Sequence, residues 1–184
     1  KNRNITTIIG GPHLTSLPEK TMEMFPQFDF GVVGDGGATI VELLSQLEQN
    51  ENLEKIKGLV IRKNGKIIKT PLRPFIDDLD TLPLPAWDLL PDLTRYYRGA
   101  AHSFLRLPSS SLITSRGCPG KCTFCDRSVF GKKCRAFTAR YLVVMIKHLI
   151  KNYGIRDIVF HDDTFIAFKP RLRELCQRLK RERL

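Results

Sequence analysis

Three cysteines are the residues of this chain whose type and spacing most directly imply chemistry. They lie in the segment SRGCPGKCTFC, residues 115–125, with the spacing C-x3-C-x2-C. Thiolates are ligands that suit iron–sulfur clusters and zinc, and the surrounding Gly and Pro residues let a loop bend until three sulfurs converge. Three ligands leave one coordination position open, which a catalytic metal site keeps and a structural site closes.

Two further cysteines bear on this interpretation. Cys134 is the obvious fourth ligand if the site is a closed zinc site, whereas Cys176 is predicted to be buried on the apolar side of the terminal helix. The chain has five cysteines, an odd number, and three of them lie too close together for a disulfide framework. A reducing, cytoplasmic location and metal chemistry are therefore expected.

The elements around the cysteines predict two consecutive βα units. They are a strand (111–115), a helix between its N-cap Thr138 and its C-terminal stop Gly154, a strand (156–160), and a helix opened by Pro170. The cysteine loop follows the first strand, and the segment HDDTF, residues 161–165, follows the second. Because parallel strands carry their active residues at their carboxyl ends, both loops are expected on the same side of the sheet.

The first part of the chain repeats the pattern of strand, glycine-rich loop and helix. Its predicted elements are strands at 5–9 and 29–33, helices from Pro18 to about Phe25 and at 38–48, and a hairpin at 57–69 around Asn64-Gly65. The pattern is typical of an open parallel α/β sheet of Rossmann-like type. A Pro-rich stretch follows, and its apolar anchors predict an ordered linker: Phe75, Ile76, Leu79, Leu82, Leu84 and Trp87.

These elements predict an α/β protein with three parts. Residues 1–55 form the C-terminal part of a Rossmann-like domain, 56–107 a hairpin and Pro-rich linker, and 108–184 the start of a second domain. The first residues run directly into a predicted strand and the last lie in a helix without a cap, so an internal fragment is expected.

Composition disfavours two other classes of protein. The net charge is +11, but the Lys and Arg residues are scattered along predicted helices and hairpins, so a nucleic-acid surface is not favoured. No apolar run approaches the roughly 18–20 residues of a membrane span, and no signal peptide is visible.

The cysteine loop resembles that of the radical S-adenosylmethionine superfamily. The match comprises Cys118, Cys122 and Cys125, the aromatic Phe124 before the last cysteine, and the position of the loop after a strand. The resemblance implies that the cysteines bind a 4Fe-4S cluster whose free iron is chelated by S-adenosylmethionine, that Phe124 lies near the adenine, and that a 5′-deoxyadenosyl radical is produced. It also implies a partial (βα)6 TIM-type barrel, of which residues 108–184 are the first two βα units.

The HDDTF loop is where members of this superfamily hold the amino group of S-adenosylmethionine. A carboxylate is the natural partner of an ammonium group, so the resemblance points to Asp163 first and to Asp162 second. One of the two could instead cap the following helix or pair with Arg116 or Arg171.

The first domain is similar to that of superfamily members with an N-terminal cobalamin-binding domain. The residues that carry this resemblance are the Gly10-Gly11 pair after a strand, the segment FDFGVVGDGGATIVELL and the later FIDDLDTLPLPAWDLLP. In such domains the glycine pair lets the backbone approach cobalamin; a tight strand-to-helix turn would explain it equally well. The common G-E-G-E pattern reads Gly34-Asp35-Gly36-Gly37 here, so the second acid is absent.

The expected function is that of a radical S-adenosylmethionine enzyme carrying out cobalamin-dependent methyl transfer or rearrangement. Its expected partners are a small-molecule substrate and an electron donor such as flavodoxin or ferredoxin. The alternatives are an enzyme of the same superfamily without cobalamin, or a basic zinc module that binds RNA or a protein.

Overall fold

The computed structural model of the chain describes residues 5–49, 52–97 and 104–184. The chain forms two compact units, each built from two separate stretches: Lys1–Phe75 with Pro119–Lys133, and Ile76–Cys118 with Cys134–Leu184. Residues 98–103 of the expected linker lie outside the described residues. The domain bounds 1–55, 56–107 and 108–184 remain predictions.

A mixed sheet is the centre of the first unit. Within the described residues it has four strands in the order β1 (Ile8–Ile9), β2 (Phe30–Val32), β3 (Leu59–Lys63) and β4 (Lys66–Lys69). The strands β1 and β2 are parallel, as predicted, while β3 and β4 form an antiparallel hairpin that pairs with β2. The backbone φ angles of 50° at Asn64 and 74° at Gly65 confirm the predicted Asn-Gly turn.

Helices cover both faces of this sheet. They are α1 (Pro12–Ser16), α2 (Pro18–Met24) and α3 (Gly37–Gln49). Because successive strand residues point to opposite faces, Val32 lies in a buried cluster with Leu43 of α3. Val60 lies in a different buried cluster, with Leu14 of α1 and Met22 of α2. The resulting layered α/β arrangement leaves the loops after β1 and β2 at one edge of the sheet.

The second unit contains the two predicted βα units. Its helices and strands are α4 (Leu93–Tyr96), β5 (Ser109–Leu112), β6 (Ser115–Arg116), β7 (Arg135–Ala136), α5 (Ala139–Tyr153), β8 (Asp157–Phe160) and α6 (Lys169–Arg181). Short 3-10 helices of this unit span Leu79–Thr81, Trp87–Leu89 and Phe165–Ala167, and one in the first unit spans Leu53–Lys55. Strands β5 and β8 pair in parallel, as expected. The α/β class is thus confirmed, and the partial barrel remains a prediction.

The core of the second unit forms on the apolar face of α5. Its buried members on this helix are Ala139, Leu142, Val143, Met145, Ile146 and Leu149. Leu79 and Trp87 belong to the same cluster, so the Pro-rich stretch is anchored as predicted. The prediction for Cys176 is wrong, because this side chain is exposed on α6 while its neighbour Leu175 is 2% exposed.

Both ends of α5 are capped as the sequence predicts. The Tyr141 N–H donates a 3.1 Å hydrogen bond to Thr138 Oγ1 at the N-terminus, and Gly154 ends the helix in the left-handed conformation with φ 62°. Thr138 also donates to Asp80 from its N–H at 2.8 Å and from its hydroxyl at 2.6 Å. The cap therefore ties α5 to the anchored linker.

Replacing Thr138 with Ala is expected to destabilise the protein by about 1 kcal/mol, because the cap and the hydroxyl contact with Asp80 are both lost. Thr138→Ser retains the hydroxyl and should remain close to the wild type. The measurement is the urea unfolding midpoint of the complete protein, followed by circular dichroism. Equal midpoints for the Ala and Ser variants would contradict the capping role.

Among the described residues, no helix combines the length and the apolar character needed to cross a membrane.

Candidate functional site

The two ends of the cysteine loop lie in two short strands, β6 and β7, that pair with each other. Ser115 and Arg116 of β6 pair antiparallel with Ala136 and Arg135 of β7. Strand β6 lies shortly after β5, so the loop of residues 117–134 leaves the carboxyl end of a parallel strand, as predicted. Cys118 belongs to the second unit, and Pro119–Lys133 belongs to the first.

The C-x2-C part of the motif forms a turn. The Cys125 N–H donates a 3.3 Å hydrogen bond to the Cys122 carbonyl, so the two residues are linked through their backbone. Cys122 and Cys125 are exposed, Cys118 is half-buried, and none of the three is in a disulfide, while Phe124 is 91% exposed. Within residues 5–49, 52–97 and 104–184, no group of three or more His, Cys, Asp or Glu is arranged to hold a metal ion. The metal role of the three cysteines and the adenine contact of Phe124 remain predictions.

Asp126, directly after the last cysteine, fixes this part of the loop within the first unit. Its carboxylate accepts hydrogen bonds from the Ser128 N–H at 2.8 Å and the Ser128 hydroxyl at 2.9 Å. It also accepts one from the hydroxyl of Ser16, at the end of α1. These bonds, that from Ser16 foremost, lower the pKa of Asp126 below its usual value. The carboxylate form is therefore the one that holds the loop against the helix that follows β1.

A second contact holds the far end of the loop in the same unit. A Cβ placed on Gly131 would lie 2.6 Å from Cε2 of Phe75, and Gly131 has φ +77°. Only glycine satisfies both the close approach and the backbone conformation. Nothing in the local pattern of the sequence indicates this contact or the one at Asp126.

Asp162, in the loop after β8, accepts several hydrogen bonds close to the start of the cysteine loop. Its carboxylate accepts from the Thr114 N–H at 2.9 Å, from the Thr114 hydroxyl at 2.9 and 3.0 Å, and from the Ser115 hydroxyl. Thr114 is completely buried. Asp162 thereby joins the loop after β8 to the chain that enters the cysteine loop, and the two loops lie at the same edge of the β5–β8 pair, as expected.

Arg171 of α6 completes this polar cluster. Its guanidinium donates to the Thr114 carbonyl at 3.0 Å and to the Thr114 hydroxyl at 3.1 Å. Burial lowers the pKa of Arg171, while the negative charge of Asp162 raises it. An arginine remains protonated in a protein, so Arg171 and Asp162 attract each other across Thr114.

Cys134 lies beside the same cluster. Burial raises the pKa of its thiol, the Ser115 hydroxyl and Arg171 lower it, and Cys118 and Asp162 raise it further. Cys134 is therefore near Cys118, as its possible role as a fourth zinc ligand requires. Its role as a zinc ligand remains an alternative prediction.

Asp163 differs from Asp162 in its contacts. It is exposed, and within the described part of the chain it makes no hydrogen bond or ion pair. A carboxylate offers about four acceptor positions, and those of Asp162 are largely used. The predicted order, Asp163 before Asp162, remains the better assignment for a bound ammonium group, and both roles remain predictions.

His161 lines a cavity in the second unit. The cavity has a volume of about 240 Å³ and is bordered by Trp87, Tyr97 and Ser111, among others. The Ser109 hydroxyl is buried there and has no hydrogen-bond partner within the described residues. The sequence gives no signal for this cavity, because its wall comes from the linker and from β5.

The Gly10-Gly11 pair lies at the carboxyl end of β1, where α1 begins. Gly11 has φ 96°, which accounts for a glycine at the turn, and a Cβ placed there would meet nothing within 4 Å. A Cβ on Gly10 would make only ordinary contacts, 3.6 Å from the Val32 carbonyl oxygen. The pair therefore suits both a tight turn and the close approach of a ligand.

Residues 112–183, which contain the cysteine loop, both βα loops and the polar cluster, match the model of the Radical SAM superfamily. This match covers 72 of the 184 residues of the chain.

The chain is also similar to known proteins, among them two relatives and one solved structure. The chain is 38% identical, over its whole length, to an uncharacterized methyltransferase of Pyrococcus horikoshii, covering 39% of that protein. Over 98% of the chain it is 29% identical to the anaerobic magnesium-protoporphyrin IX monomethyl ester cyclase of Synechocystis, covering 35% of it. The fold matches the radical S-adenosylmethionine methyltransferase TsrM from Kitasatospora setae, solved with cobalamin and a [4Fe-4S] cluster bound. That match has a TM-score of 0.69 and 18% identity, and it covers 98% of this chain and 34% of TsrM.

Proposed function

We propose that the complete protein is a radical S-adenosylmethionine enzyme in which Cys118, Cys122 and Cys125 hold a [4Fe-4S] cluster. The observation that carries the proposal is the presence of three cysteines with this spacing, none of them in a disulfide, on the loop after a parallel strand, within the region that matches the superfamily. Thiolates are the ligands such a cluster requires. When bound, the cluster supplies the electron that cleaves S-adenosylmethionine to a 5′-deoxyadenosyl radical.

The surrounding residues of this chain have distinct tasks in the proposal. The β6–β7 ladder fixes both ends of the loop, and the backbone turn links Cys122 to Cys125. Asp163 is the free carboxylate that would hold the ammonium group of S-adenosylmethionine, because Asp162 is already bonded to Thr114 and Ser115. Phe124 presents an exposed ring to the adenine.

The first unit would bind cobalamin at the edge formed by Gly10 and Gly11. Support comes from the open space beyond Gly11 and from the fold shared with a cobalamin-bound methyltransferase. The relatives include both a methyltransferase and a cyclase, so the proposed reaction is methyl transfer or rearrangement on a small-molecule substrate. The proposed setting is the cytoplasm, with flavodoxin or ferredoxin as the electron donor.

Gly10→Ala tests cobalamin binding in the complete protein, reconstituted anaerobically. The fold tolerates this methyl group because it makes only ordinary contacts, so the unfolding free energy should change by no more than about 0.5 kcal/mol. A cofactor packed on the Gly10 backbone would be displaced, which weakens cobalamin binding about tenfold. The measurement is an absorption titration with hydroxocobalamin, and Val41→Ala, at an exposed position of α3, is the control for binding.

The second candidate is a radical S-adenosylmethionine enzyme without cobalamin. The observation that favours it is the positive φ of Gly11, which explains a glycine at this position without any ligand. Absence of hydroxocobalamin binding by the wild type, with the cluster and S-adenosylmethionine cleavage intact, would establish this alternative.

A further inference from the structure

Thr164, in the loop after β8, contacts one of the three motif cysteines. Its hydroxyl donates a hydrogen bond of 3.4 Å to the sulfur of Cys118. Both residues belong to the second unit. The role proposed for this loop concerns Asp163 and S-adenosylmethionine and leaves Thr164 without a function.

Contacts on both sides of Thr164 fix the backbone that carries this hydroxyl. On the N-terminal side, Asp162 is bonded to Thr114 and Ser115. On the C-terminal side, the Phe165 ring stacks on Phe160 with their centroids 4.4 Å apart. The Thr164 carbonyl itself accepts a 3.0 Å hydrogen bond from the Ala167 N–H. The hydroxyl is therefore held in place by its surroundings.

Arg171 reinforces the same arrangement from α6. It donates to the Phe165 carbonyl at 3.4 Å, and its guanidinium carbon lies 5.5 Å from the centre of the Phe165 ring. Because Arg171 also donates to Thr114, it spans the chain segments that lead to Cys118 and to Thr164. This bracing holds the Thr164 hydroxyl near the Cys118 sulfur.

We propose that Thr164 is a positioning residue that hydrogen-bonds the Cys118 thiolate in the loaded protein and raises the reduction potential of the cluster. The inference rests on the proposed function. Reduction adds one electron from a low-potential donor, and no bond is made or broken. The added negative charge is spread onto the cysteine sulfurs, so a hydroxyl that donates to one of them stabilises the reduced state more than the oxidised state.

The test is a redox titration of the reconstituted complete protein, followed by electron paramagnetic resonance. Thr164→Val keeps the size of the side chain and removes the hydroxyl, so its midpoint potential should shift to a more negative value. Thr164→Ser keeps the donor and should titrate with the wild type. Electron–nuclear double resonance in H2O and in D2O should reveal one exchangeable proton coupling in the wild type and the Ser variant that is missing in the Val variant.

A Val variant with an intact cluster at the wild-type potential would overturn the inference, as would equal shifts for Val and Ser. If the Val variant did not assemble a cluster, Thr164→Ala would serve for the same comparison, and the proton signal of the wild type would provide a second measurement. Failure of the wild type itself to assemble a cluster would instead refute the proposed function, and this inference with it.

Discussion

Single replacement of Cys118, Cys122 or Cys125 by Ala in the complete protein is expected to abolish cluster assembly. The wild type, reconstituted anaerobically, should bind about four irons and about four sulfides per chain, and each variant should fall close to zero. Cleavage of S-adenosylmethionine by a chemical reductant should fall below detection in all three, because only two of the three motif thiolates remain. Iron, sulfide and zinc analysis, together with the yield of 5′-deoxyadenosine, provides the measurement.

The other two cysteines are matched controls for this experiment. Cys176→Ala removes an exposed thiol on α6 and should retain iron and activity. Cys134→Ala removes a thiol near Cys118 and should also retain them, because Cys134 lies outside the C-x3-C-x2-C motif. One zinc and no sulfide in the wild type, lost in Cys134→Ala, would show a closed zinc site instead and refute the enzyme hypothesis.

The adjacent carboxylates Asp162 and Asp163 should give opposite phenotypes. Asp162→Ala leaves the buried Thr114 N–H without an acceptor and Arg171 without its negative neighbour, so the protein should lose about 3 kcal/mol of stability. Asp163→Ala removes an exposed carboxylate that has no partner among the described residues, and it should change the stability by no more than about 0.5 kcal/mol. It should instead weaken S-adenosylmethionine binding about tenfold, because a hydrogen bond to a charged group is lost.

Urea unfolding and calorimetric titration of the reconstituted complete protein separate these two effects. Equal losses of stability in the two variants would contradict the structural role of Asp162. Wild-type affinity for S-adenosylmethionine in Asp163→Ala would contradict the assignment of the ammonium partner, and leave Asp162 as the remaining candidate.

The sequence predicts those parts of the molecule that depend on local patterns. Thr138 and Gly154 were identified as the ends of α5 because helix caps have strong residue preferences. The parallel pairing of β5 with β8 followed from two successive βα units. That pairing also predicts that the cysteine loop and the HDDTF loop lie at the same edge of the β5–β8 pair. The Asp162–Thr114 and Thr164–Cys118 hydrogen bonds confirm this prediction.

Contacts between residues distant in the chain could not be predicted in this way. The bond between Ser16 and Asp126 and the contact between Phe75 and Gly131 carry no local signature. The neighbours of Thr164 and Arg171 depend on how α6 packs, which a single sequence does not specify. Cys176 was wrongly assigned to the core because the apolar stripe on α6 is narrow and only Leu175 is fully buried on it.

The division of the chain between its two units has a consequence for biosynthesis. The first unit needs Pro119–Lys133 in addition to Lys1–Phe75, and Ser16 meets Asp126 across 110 residues of chain. Because synthesis proceeds from the N-terminus at about 5–20 residues per second, the nascent sheet must wait several seconds before its last segment leaves the ribosome. During that interval the surfaces later covered by the cysteine loop are open to chaperones, and the segment that brings Cys122 and Cys125 is also the one that completes the first unit.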